Sequence, residues 1–96
     1  MAIDDVRLKR IRFRAWHRGF READLILGPF ADTHLTALDD AQLDRLEALM
    51  HEADGDIYDW IMERAPTPPA FDNDVMAMLK GFRYQAHAAR ADGPGA

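Results

Sequence analysis

Trp16-His17-Arg18-Gly19-Phe20-Arg21-Glu22-Ala23-Asp24-Leu25-Ile26-Leu27-Gly28-Pro29-Phe30 is the stretch on which the fold turns. It holds a glycine, a charge cluster and a dense apolar run. At about 100° per residue, Phe20, Ala23 and Leu27 fall together, and Ile26 and Phe30 widen that apolar face. Arg18, Glu22, Leu25 and Pro29 fall on the opposite face, with Arg21 beside them. The pattern predicts a helix from Arg18 or Gly19 to Leu27. Leu25 then stands as an apolar residue among charges. Gly19 marks a joint with the preceding helix, because glycine reaches backbone angles other residues avoid. Proline is tolerated in the first turn of a helix but not in its interior. A kink or fresh start is therefore expected at Gly28-Pro29, with a short helical piece to about Leu35.

Upstream, Asp4 or Asp5 can cap a first helix running to Ala15, with Val6, Leu8, Ile11 and Ala15 as its apolar stripe. Downstream, Thr36-Ala37-Leu38 forms a link, and Asp39 with Gln42 spells a capping box. A third helix follows over Asp40 to His51, with Leu43, Leu46, Leu49 and Met50 inward. Ala53-Asp54-Gly55-Asp56 is a turn. Asp54 or Asp56 is expected to cap a fourth helix to about Arg64, with Ile57, Trp60 and Ile61 inward. Pro66-Thr67-Pro68-Pro69 ends it. The last helix is expected from the Pro69–Asp72 region to about His87, on the repeat of Phe71, Val75, Met78, Leu79 and Phe82. The tail 91–96 has nothing to bury and is expected to be disordered. No stretch alternates as a half-buried strand does. The expected fold is all-α: a small single-domain bundle of about five short helices over residues 1–90.

Ninety-six residues make one domain with a small core. The chain lacks cysteine, which excludes disulfides and thiol chemistry. No apolar run approaches the roughly 20 residues a membrane span needs. Asp4 and Asp5 stand where a secretory leader carries bases, so the expected location is the cytoplasm, with no membrane partner. The net charge of −5 conceals an asymmetry. Arg7, Lys9, Arg10, Arg12, Arg14, Arg18 and Arg21 crowd the first 21 residues, and most acids follow. Such a run can meet a phosphate backbone, or lie against the protein's own acidic surface. The acidic total argues against a nucleic-acid partner.

Little suggests catalysis. His17, His34, His51 and His87 show no pairing at one-turn spacing, so no metal site is expected. Glu52, Asp54, Asp56 and Glu63 fit four positions of a calcium loop, but Ile57 stands where that loop requires glycine. The chain has no serine and no glycine-rich phosphate loop. No enzymatic activity is expected. Trp16, Trp60, Tyr58 and Tyr84 are read as core or rim aromatics, and Met76 and Met78 as core filling. Arg18-Gly19-Phe20-Arg21-Glu22 has two readings: a helix start with a surface ion pair, or the polar ring of a docking surface centred on Leu25.

Those five residues resemble the RGxxE motif of the FAD assembly factors of succinate dehydrogenase, also called succinate dehydrogenase assembly factor 2. The continuation through Ala23-Asp24-Leu25-Ile26-Leu27-Gly28-Pro29-Phe30 is similar to that family's apolar run. Tyr58-Asp59-Trp60-Ile61 resembles its aromatic segment. The likeness spans about residues 7–85. His17 departs from it, standing where many relatives carry a second arginine. The resemblance implies a non-enzymatic factor that binds the flavoprotein subunit of succinate dehydrogenase, and in bacteria fumarate reductase. It implies that the factor promotes covalent attachment of FAD to that partner without holding FAD itself. Carried over by motif, Arg18, Gly19 and Glu22 would contact the partner, with Asp24 beside them; Arg21, at an unspecified position of the motif, joins them as part of the charged ring around Leu25. Leu25 is added on its placement in the helix. The free chain is expected to be a monomer. The competing function is a small helical interaction module of antitoxin-like or regulatory type.

Overall fold

The structure, a computed structural model, describes residues 5–91, with side chains described over 6–83. Five helices follow one another: α1 (Asp5–Trp16), α2 (Arg21–His34), α3 (Asp40–Met50), α4 (Asp54–Ile61) and α5 (Asp74–Ala91). Short 3₁₀ turns at Leu35–Ala37 and Pro69–Phe71 lead into α3 and α5. Among the described residues there is no strand, as the absence of period-two patterning predicts.

α2 is the central element and packs against α1, α4 and α5. Ala23, Ile26, Leu27 and Phe30 are buried, the face the wheel predicts, and Ala31 extends it. Ile11 and Ala15 come from α1, Leu43, Leu46 and Leu49 from α3, Ile57 and Ile61 from α4, and Val75, Met76 and Leu79 from α5. Phe30 is fully enclosed and meets Phe82 edge to face, with ring centroids 5.6 Å apart. Burying a side chain of that size stabilises the fold by about 1.5–3 kcal/mol.

The capping box that opens α3 is present. Gln42 N–H donates to Asp39 Oδ1 at 2.8 Å, and Asp39 N–H donates to Gln42 Oε1 at 3.0 Å. Other expectations need correction. α2 starts at Arg21, not at Arg18 or Gly19. Gly19 takes φ +89° and Phe20 is extended, and neither angle belongs to a right-handed helix. The helix does not stop at Pro29 but runs through it to His34. The steric clash that bars the helical region before proline falls partly on Cβ of the preceding residue. Gly28 has none, so that part of the clash is absent.

α4 is preceded by Ala53, with no side-chain cap, and Asp54 and Asp56 lie inside its first turn, where carboxylates suit the positive end of the helix dipole. It ends at Ile61, before Arg64. α5 begins at Asp74, past the expected start, and extends to Ala91, past the expected end at His87. Val6 is exposed and does not join the stripe of α1. Capping by Asp4 or Asp5, the core or rim role of Tyr84 and the tail beyond Ala91 lie outside the described residues.

The basic N-terminal helix lies against the chain's own acids. Arg7 bridges Asp44 and Glu47 at 2.6 and 2.7 Å, Arg10 approaches Glu47, and Arg12 pairs with Asp32. Hydrogen bonds that Arg7 donates to Asp44 and Glu47 hold its guanidinium pKa above the ordinary value. Of the two readings of the arginine run, the intramolecular one is seen for these three residues.

Candidate functional site

The site is built on the four residues that join α1 to α2. Gly19 makes the turn with its positive φ, and a Cβ at that position would meet nothing within 4 Å. Its need for glycine in the free chain therefore comes from backbone angle, not crowding. Asp24, one turn into α2, reaches back and accepts the Arg18 backbone N–H at 3.1 Å, which ties the joint to the helix. Phe20 packs edge to face on Tyr58, ring centroids 5.4 Å apart, and sets the joint onto α4.

Arg18 is turned away from the face where the wheel puts it. Its Nε donates to Asp54 Oδ1 at 2.6 Å, and a terminal nitrogen donates to the Glu52 carbonyl at 3.0 Å. Its side chain is only 9% exposed. Arg18 thus fastens the joint to the start of α4, and its charge is already met by a carboxylate and a carbonyl. A hydrogen bond to a charged group of this kind is worth about 1.5–3 kcal/mol.

Arg21, Glu22 and Leu25 are exposed together on the first turns of α2, with Leu25 37% exposed. Arg21 and Glu22 take no hydrogen-bond or ion-pair partner among the described residues. This is the arrangement of an apolar centre with unspent charges beside it. The six candidate residues therefore divide. Arg21, Glu22 and Leu25 are presented, Gly19 and Asp24 shape the joint, and Arg18 is spent holding it.

Two features escaped sequence reasoning. Phe13 is 63% exposed, stacked on His17 with ring centroids 4.2 Å apart. The available signal was its position between Arg12 and Arg14, off the α1 stripe. Gly28 is the second. A Cβ there would overlap the Trp16 ring, so α1 and α2 approach through a glycine whose sequence context suggests only a helix break. Among the described residues no cluster of three or more His, Asp or Glu side chains could hold a metal. No helix there is long and apolar enough to cross a membrane.

Comparison with known proteins adds to this geometry. Residues 9–83 match the family described as "Flavinator of succinate dehydrogenase". A zebrafish (Danio rerio) protein named "Succinate dehydrogenase assembly factor 2, mitochondrial" is 35% identical over 80 residues, 81% of this chain and 51% of the relative. Proteins of the same name from Dictyostelium discoideum and Meyerozyma guilliermondii are 32% and 37% identical over 72 and 75 residues. These alignments cover 75% and 74% of this chain, and 51% and 56% of the two relatives. The chain spans about half the length of the curated relatives it matches. With that match running from α1 into α5, the chain belongs to the family of flavinators of succinate dehydrogenase.

Proposed function

We propose that this chain is an assembly factor that binds the flavoprotein subunit of succinate dehydrogenase and promotes covalent attachment of FAD to it. The family match over residues 9–83 carries the proposal. The flavoprotein of fumarate reductase is proposed as a second client on the resemblance of Arg18–Glu22 to the RGxxE motif, since the family match names succinate dehydrogenase alone. The chain acts without catalysing the bond. The reacting flavin and the side chain that receives it both belong to the partner, and the factor's part is to hold that partner in a competent arrangement. No cofactor is assigned to the factor itself.

Exposed Leu25 enters the apolar centre of the interface, where most binding energy concentrates. Arg21 and Glu22 set register beside it, as a donor fork and a carboxylate acceptor. Gly19 gives the partner's backbone an open approach, since nothing lies within 4 Å of its missing Cβ. Arg18 and Asp24 act from behind by holding the joint. The factor is a monomer when free and works in the cytoplasm. Because its curated relatives are named mitochondrial, fractionation of cells expressing the full chain decides the compartment.

Purification of the tagged chain from cells that make the flavoprotein tests the proposal. A yellow complex containing the flavoprotein is expected, and Glu22→Gln with Leu25→Ala should abolish it. A colourless preparation, or a complex that survives both substitutions, would overturn it.

A further inference from the structure

A groove of about 310 Å³ lies where the end of α1 meets the joint between α3 and α4, lined by Phe13, Arg14, His17, Arg18, Met50, His51 and Asp54. It is off the face formed by Arg21, Glu22 and Leu25, none of which lines it. Met50 is its buried apolar member and Phe13 its exposed one. The only carboxylate lining it, Asp54, is already bound by Arg18. Arg14 is exposed and has no acidic partner among the described residues, unlike Arg7, Arg10 and Arg12 on the same helix. The groove is therefore a cationic concavity on a chain whose net charge is −5.

The two imidazoles are arranged alike. His17 Nδ1 lies 2.9 Å from the Phe13 carbonyl, and His51 Nδ1 lies 2.7 Å from the Glu47 carbonyl. A carbonyl accepts, so Nδ1 carries the proton in each ring, and in the neutral imidazole Nε2 is left as an acceptor for a backbone N–H or hydroxyl of the ligand. The groove thus combines an unspent guanidinium, two ring nitrogens and an exposed aromatic face.

We infer that this groove is a second docking point for the flavoprotein partner, taking a short acidic segment whose carboxylate meets Arg14 and whose neighbouring apolar side chain lies on Phe13. Charge complementarity selects the occupant. An acidic segment meets an unpaired cation here, and a basic one would meet repulsion from Arg14 and no free carboxylate. The volume suits one or two side chains, and the exposed apolar surface of Phe13 gives the segment a hold that salt does not screen. Arg18 connects the two docking points: it lines the groove and holds the joint from which α2 departs. The inference rests on the flavoprotein reading above.

The test is titration of the purified flavoprotein subunit with the full chain, at low and moderate salt. Wild type, Phe13→Ala, Arg14→Lys and Arg14→Glu are compared, with Leu25→Ala as the reference for the other face. Both substituted side chains are exposed, so unchanged melting temperatures are expected. Phe13→Ala and Arg14→Glu should each weaken binding about tenfold or more, Arg14→Glu should flatten the salt dependence, and Arg14→Lys should retain most of the affinity. If wild type binds and Phe13→Ala and Arg14→Glu bind equally well, the groove inference is overturned while the flavoprotein reading stands. If wild type itself does not bind, the flavoprotein reading falls and takes the groove with it. Altered self-association of the free chain with unaltered flavoprotein binding would assign the groove to a second copy and overturn the inference as well.

Discussion

The indole of Trp16 occupies the space that a side chain at position 28 would need, so α1 and α2 close on each other through Gly28. The ring cannot swing out freely, because Trp16 Nε1 also donates to Asp32 Oδ2 across the same pair of helices. Gly28→Ala gains roughly 1 kcal/mol of helix propensity but forces a rigid ring aside. Overpacking of that kind costs about 1–3 kcal/mol. The net change expected in urea unfolding is destabilising, opposite in sign to what an unobstructed helical glycine would give.

Arg18 and Glu22 should separate in their effects, although both belong to the motif. Arg18→Ala removes two hydrogen bonds and strands Asp54, so a loss of about 1.5–3 kcal/mol of stability is expected. Glu22→Gln touches no partner in the free chain and should stay within about 0.5 kcal/mol of wild type. Denaturant titration of both variants, alongside flavoprotein binding, checks this. An Arg18 variant that loses binding does so partly through the fold, whereas Glu22→Gln should lose binding alone.

Gly19→Ala meets no steric obstacle but must hold φ near +89°. The left-handed region costs an ordinary residue about 1–2 kcal/mol. Asparagine tolerates positive φ better, so Gly19→Asn should unfold at a higher denaturant concentration than Gly19→Ala. Equal midpoints would mean that the joint relaxes to ordinary angles.

How much of this was legible beforehand follows the range of each interaction. The Asp39–Gln42 capping box joins residues three apart, and its spacing shows on the page. The core face of α2 was legible for the same reason, since periodicity is local. Arg18 was misplaced because its partners, Glu52 and Asp54, lie 34 and 36 residues away. A chain with seventeen acids does not say which of them an arginine will find. The start of α2 shifted with it, because a glycine can lie inside a helix or, at positive φ, end one. Pro29 usually breaks a helix, and the absent Cβ of Gly28 changes that behaviour here. Phe13 was overlooked because single exposed aromatics are ordinary, and only the fold shows the groove beneath it.

Acid should loosen the attachment of α5. The Asp74 carboxyl accepts from Gln42 and from Arg45, and these contacts hold it below its ordinary value near 3.8, the Gln42 hydrogen bond most strongly. A lowered folded value means the contribution is present above the unfolded value and is lost as pH falls through the folded one. Wild type should therefore lose stability below about pH 4 more steeply than Asp74→Asn, and their melting temperatures should converge at low pH. Parallel curves across that range would contradict a role for Asp74.

Covalent flavin fluorescence of the flavoprotein subunit in a denaturing gel tests the central claim most directly, with the subunit expressed alone, with this chain, and with Leu25→Ala. The predicted result is a strong fluorescent band only with the wild-type chain, and a weak one with Leu25→Ala. Equal fluorescence in the presence and absence of the chain would contradict it.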